Sequence, residues 1–300
     1  MERTLPYMNA FGTVDISSAK SVDDALMLAG LDWNVESKFL YDENGYPYDK
    51  FRANIRQSDN KLLGIVTEKY NIVQNKVALD FVDGLVNEGF EFDRAGQFRG
   101  GRSIWVMGKL PETKILGDDI SNNIVFVNSH DGSSGVKVMM TPIRLICSNM
   151  MNLALRKADR IWATKHTGSI YTKLEEAKYT LGLANSYMDE LNLEAERLSN
   201  IKISDSDVEA IFDSIYPIDK NKDSERKITN IETLKNDFMN CYDASDISQF
   251  RGTAYGAINA MSDLVSHKYP TRESQNFYEN SWNRLINGDI NFDKFYRAVA

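Results

Sequence analysis

The stretch Phe90–Met140, FEFDRAGQFRGGRSIWVMGKLPETKILGDDISNNIVFVNSHDGSSGVKVMM, decides the fold. It holds four strand-like runs, FEFDRAGQF, SIWVMGKL, NIVFVNS and GVKVMM, rich in aromatic and β-branched residues that suit a pleated surface. Gly100-Gly101 offers a tight turn between the first two runs, and HDGSSG, from His130 to Gly135, joins the last two as a hairpin loop. Links this short pair consecutive strands antiparallel. Side-chain alternation puts Ile104 and Val106 on one side of the sheet, and Ser103, Trp105 and Met107 on the other.

Upstream of this stretch, Trp33 to Val66 reads as a meander: WNVESKFLY, the turn Asp42-Glu43-Asn44-Gly45, FRANIRQ, the turn Ser58-Asp59-Asn60, then KLLGIV. A short helix precedes it, opened by a capping box of Ser21 and Asp24 and ended by Gly30. Between the meander and the four runs, Asn75 is expected to cap a helix carrying Val77, Ala78, Phe81, Val82 and Leu85. Downstream, Pro142 can open a helix but not sit inside one, so Ile143 to Leu155 is predicted helical. IWATKHTGSI then leads into a long helix, about Tyr171 to Leu198, with a seven-residue repeat through Leu174, Leu181 and Met188. Ala177, Ala184, Leu191 and Leu198 repeat likewise. That seam, half alanine, is expected to pack on its own domain rather than on another chain. Beyond Ser204 the spacing is helical throughout, with a linker-like stretch at Ile218 to Lys227. The expected fold class is α+β: a core over residues 1–168 built on antiparallel meander and hairpin sheets packed with helices, and a helical region over 169–300.

Composition narrows the function. No apolar run approaches the roughly 20 residues needed to cross a bilayer, and MERTLPYMNAFG lacks the pattern of a signal peptide, so a cytoplasmic protein is expected, with no membrane partner. Cys147 and Cys241 stand alone, and His130, His166 and His267 are scattered, which supports neither a disulfide framework nor a metal site. Phosphate loops, GxGxxG, HExxH and GxSxG are absent, so no cofactor and no catalytic residue are assigned and an enzyme is the weaker class. Asp118-Asp119 beside Gly117 reads as a solvated turn.

The net charge of −8 conceals an asymmetry: Arg94 to Lys173 holds twelve Lys/Arg against five Asp/Glu, hence +7, leaving −15 elsewhere. Such a segment suits a polyanion, although the acidic remainder could also pair with it internally. Its cations are interleaved with aromatic side chains, which suits single-stranded nucleic acid: cations track phosphates while aromatic faces stack bases. The candidate nucleic-acid-binding residues are Arg94, Arg99, Arg102, Trp105, Lys109, Lys137, Arg144, Arg156, Lys157, Arg160, Trp162, Lys165 and His166. Trp105 and Trp162 are either stacking platforms or core residues. HDGSSG either presents successive N–H groups to a phosphate or is a plain turn.

LGIVTEKYNIVQNKVALDFVDGL, VNSHDGSSGVKVMMTPIRLICSNMM and RGTAYGAINAMSDLVSH resemble blocks of the phage- and plasmid-encoded domain of unknown function family numbered 932, a resemblance running from about Trp33 to His267. It implies a phage, prophage or plasmid origin and no activity. More distantly, the order meander, helix, hairpins, helix is similar to the core of the RecT, Erf and Redβ single-strand annealing superfamily. That resemblance implies a homo-oligomeric ring or filament that holds single-stranded DNA and pairs it with its complement without ATP. The rival expectation is a phage interaction protein whose acidic surface mimics nucleic acid and blocks a host defence protein.

Overall fold

The computed structural model describes residues 13–82, 86, 89–144, 149–150, 161–166, 184–265 and 289–300. The four strand-like runs form β5 (Glu91–Phe98), β6 (Ser103–Ile115), β7 (Asp118–Ser129) and β8 (Val136–Arg144), each antiparallel to the next. A short β1 (Thr13–Asp15) pairs with β5 on one edge, and β10 (Ile161–Thr164) and the two-residue β9 (Asn149–Met150) pair with β8 on the other. The meander is a separate three-stranded sheet, β2 (Val35–Tyr41), β3 (Pro47–Arg56) and β4 (Lys61–Thr67). Antiparallel sheets dominate the N-terminal half and helices the C-terminal part: the fold is α+β.

Alternation along the strands builds the core. Phe92, Ile104, Val106, Ile124, Phe126 and Val138 line one side of the main sheet and pack with α1 (Val22–Leu28) and α2 (Asn75–Leu79). The Ser21 hydroxyl caps α1 by accepting the Asp24 N–H at 3.2 Å, as expected. The Asp24 carboxylate answers one residue earlier than a strict capping box, accepting from the Lys20 N–H at 3.2 Å.

The helical part gathers around one fully buried helix. It comprises α3 (Ala184–Asn200), α4 (Asp205–Ile215), α5 (Glu225–Tyr242), α6 (Ala254–Asp263) and α7 (Ile290–Val299). Every residue of α6 is buried, and α3, α5 and α7 all pack on it. Small residues permit this: the Gly256 α-carbon lies so close to the Phe250 carbonyl that no side chain fits there. The described part of the heptad seam, Met188, Leu191 and Leu198 with Ala195, is buried against this same core, so it packs intramolecularly. The stretch Tyr171–Leu183 of the expected helix lies outside the described residues.

Three local expectations are overturned. Pro142 lies in β8, opposite Asn122, and opens no helix. Among the described residues β10 pairs with β8 over Val136–Met139 and β9 over Ile143–Arg144, so none of these pairings uses the N–H that Pro142 lacks. Residues 145–148 and 151–160 of that expected helix lie outside the described residues. Asn75 does not cap α2: Gln74 occupies the cap position, and the Asn75 amide is turned inward to the Leu31 carbonyl and His130. The linker-like stretch ends early, because Ser224 caps α5 and the helix runs from Glu225.

Candidate nucleic-acid interface

Two turns and one loop converge where the sheets meet. The β5–β6 turn carries three consecutive residues in the left-handed region, Arg99 (φ 50°), Gly100 (φ 66°) and Gly101 (φ 97°). It leans on the small sheet: the Arg56 Nη1 donates to the Gly100 carbonyl at 3.4 Å, and the Lys61 ammonium lies directly over the Gly100 α-carbon. Arg56 is held bidentate by Asp59, at 2.9 and 2.5 Å, and its guanidinium stands 5.2 Å over the Trp33 ring. Through those bonds Arg56 draws the Asp59 carboxyl down to a pKa of about 2. Arg102, at the end of the same turn, is exposed.

The HDGSSG loop is the keystone beneath these turns. The His130 N–H donates to the Arg102 carbonyl and the His130 carbonyl accepts from the Asn54 amide, both at 2.7 Å, which ties β3 to the main sheet. The Asn75 amide donates to the Leu31 carbonyl, so its Oδ1 accepts the proton of His130 Nε2 at 2.9 Å. That fixes a proton on Nε2 of a ring packed edge-on to Trp33 at 5.3 Å. Burial, with His166 adding to it, lowers the His130 pKa from 6.5 to about 3. His166 is buried as well, stacked on Tyr70 at 4.6 Å, with its Nδ1 donating to the Asn71 carbonyl at 3.1 Å. Burial likewise lowers its pKa. A side chain at Gly64 would collide with the Asp131 backbone, and one at Gly135 with the Thr164 carbonyl, so glycine is required where β4 and β10 close on the loop.

This geometry sorts the sequence candidates. Arg94, Trp105, Lys109 and Lys137 do share one side of the main sheet, since Gly96, Trp105 and Val127 are in register with one another and Val127 with Lys137. That side is covered: Trp105 is 2% exposed with its ring against the Gly96 α-carbon, and Met107, Val125 and Met139 are buried beside it. Trp105 is therefore a core residue and not a stacking platform. His166, at 3% exposed, is corrected in the same way, because its ring is buried against Tyr70. Lys109 pairs with Asp93 at 2.9 Å and Arg99 with Asp131 at 3.2 Å. Asp15, opposite Arg94 in the sheet, is kept well ionised by hydrogen bonds from Ser17, with Arg94 and Lys109 assisting. Lys165, after β10, is exposed. Arg144 and Trp162 lie in β8 and β10, in register with Ile120 and Val138, and their side chains fall outside the described residues. Arg156, Lys157 and Arg160 lie outside them altogether.

The two central N–H groups of the loop are not open to a phosphate. The Ser133 N–H is taken by the Asp131 carboxylate at 2.9 Å and the Ser134 N–H by the Ser129 hydroxyl at 3.1 Å, which favours the plain-turn alternative. Among the described residues no group of His, Cys, Asp and Glu is placed to hold a metal ion, and no helix is long and apolar enough to cross a membrane. Sequence reasoning missed Arg56 and Lys61, which lie outside the +7 segment but stand beside Arg99 and Arg102 in space.

Comparison with known proteins gives a family and nothing finer. The family described as Domain of unknown function (DUF932) matches residues 62–285. No curated protein and no solved structure matches the chain.

Proposed function

The chain belongs to the DUF932 family, and we propose that it is a mobile-element protein that binds single-stranded DNA and anneals it to its complement without ATP. One observation carries this reading: Arg56, Lys61, Arg99 and Arg102, drawn from two separate sheets, gather around a single turn, where Asp59 pairs with Arg56 and Asp131 with Arg99. In a chain of net charge −8 such a gathering opposes the mean field and suits a phosphate backbone. Lys165, exposed after β10, adds to the phosphate contacts, and neighbouring subunits lengthen the track. Nothing is turned over; strands are held, aligned and released as a duplex. The annealing step rests on the order of elements shared with the RecT, Erf and Redβ superfamily.

The rival, an acidic surface that mimics nucleic acid before a host defence protein, draws on the exposed acids of α4. Part of that charge is spent within the fold, since Arg251 pairs with Asp205 at 2.9 Å and Lys235 with Asp213 at 2.8 Å and Glu209 at 3.2 Å.

Titration of a fluorescein-labelled oligo(dT) at several salt concentrations tests the proposal. Affinity should fall as salt rises, with a log–log slope near −0.7 for each neutralised phosphate, and Arg102→Ala should make that slope shallower by about one contact. Absence of binding up to about 100 µM protein at low salt sinks the reading. Mass photometry with and without the oligonucleotide reads the ring or filament directly.

A further inference from the structure

The three-stranded sheet has a side that is committed at its base and open at its tip. At the base, Asn54 and Gly64 seat on the HDGSSG loop. Towards the tip of that same side, Phe39 and Tyr41 are 50% and 60% exposed, their rings 6.5 Å apart. Register fixes their company. Phe39 is opposite Arg52 and Val35 opposite Arg56, so Arg52 and Arg56 stand on this side, and Lys61 joins them opposite Arg56. Glu36, paired with Lys38 at 2.6 Å, falls on the reverse side. The Arg52 guanidinium stands 3.9 Å over the Phe39 ring, pinned by the Asp49 and Phe51 carbonyls at 2.8 Å each. It is thus a fixed cation already married to an aromatic plane.

We propose that this side of the small sheet is the base-stacking platform for single-stranded DNA: bases lie on Tyr41 and the Arg52–Phe39 pair, while Arg56 and Lys61 lead the phosphates towards the β5–β6 turn. The inference rests on the DNA-binding reading above and moves its aromatic component from buried Trp105 to an exposed surface. Folding has no use for these rings, since aromatic area left in water forgoes the stabilisation that burial brings. Stacked on bases, the same rings supply sequence-tolerant affinity while the adjacent cations answer the phosphates. A second copy of the chain fits this side poorly, because a two-fold contact would set Arg52, Arg56 and Lys61 against their own images.

The test is anisotropy of labelled oligo(dT) with the full chain carrying Phe39→Ala with Tyr41→Ala, Tyr41→Phe alone, and Ile65→Thr, an exposed residue on the reverse side. The Ala pair should lose at least about tenfold in affinity, from stacking worth roughly 1–3 kcal/mol per base. Tyr41→Phe should bind within about threefold of the wild type, since Phe keeps the stacking face, and Ile65→Thr should bind like it. Melting curves should superimpose, because the changed side chains are exposed. If the wild type binds and the Ala pair binds equally well, the platform is refuted and the DNA reading survives. Loss of affinity accompanied by a smaller particle in mass photometry also refutes it, by making the surface a contact between copies. Failure of the wild type to bind removes both proposals.

Discussion

The two sheets are written in the same vocabulary of alternating aromatic, aliphatic and basic residues, and they use it in opposite ways. In the main sheet both sides are covered, so Trp105 is locked against Gly96 and the cations beside it are drawn to Asp15, Asp93 and Asp131. In the small sheet only the base of one side is covered, and FLYDENGYPYDKFR, from Phe39 to Arg52, carries its rings into solvent. A segment's charge and aromatic content therefore measure what it could bind, whereas layer position decides whether those groups reach a ligand. The lesson from this pair is that the strongest basic segment of a chain is not by itself its binding face.

The sharpest way to break that contrast is to truncate one aromatic from each sheet. Trp105→Ala should cost about 3–5 kcal/mol of stability in urea unfolding through the cavity it leaves, and lower the melting temperature by many degrees. If it leaves stability intact and abolishes oligonucleotide binding, Trp105 is a ligand contact and the contrast fails. Second in size is the pH response of the loop that joins the sheets. An unfolded histidine binds its proton near its ordinary value of 6.5, while folded His130 does so only near 3. The native state therefore binds fewer protons in that window. His130 thus contributes stability that is complete above about pH 6.5 and is lost as the pH falls towards 3, at roughly 1.4 kcal/mol per pH unit. Urea midpoints measured from pH 7 to 4.5 should fall more steeply in the wild type than in His130→Gln; equal slopes would mean that His130 is not held neutral by burial. The smallest effect belongs to the small sheet, where Tyr48→Ser alone should change unfolding free energy by no more than about 0.5 kcal/mol. A larger cost would show that the tip is packed.

Much of the fold could be read along the chain because the signals are local. Alternation in FEFDRAGQF, SIWVMGKL, NIVFVNS and GVKVMM located β5 to β8, and Ser21 and Ser204 marked helix starts through hydroxyls that do accept the expected N–H groups. The misreadings have a common cause in long-range partners. Asn75 has the right identity for a cap, but buried His130 and the Leu31 carbonyl claim its amide. Pro142 has the right identity to open a helix, but pairing with Asn122 of β7 holds it within β8. The candidate site was less legible for the same reason: Arg56 and Lys61 come from one sheet and Arg99 and Arg102 from another, and no spacing rule links them.

By itself the sequence determined the α+β class, the strand and helix inventory of its periodic segments, the family, and the presence of surplus positive charge in an acidic chain. These follow from propensity, periodicity and composition, which act within a turn or a strand. Only the tertiary structure decided which side of each sheet is covered, that His130 is buried at the start of the HDGSSG loop and bonded to Asn75, and that exposed aromatic and cationic groups lie together on β2, β3 and β4. Burial is settled by what packs against an element from elsewhere in the chain, and that partner is not written in the element's own residues.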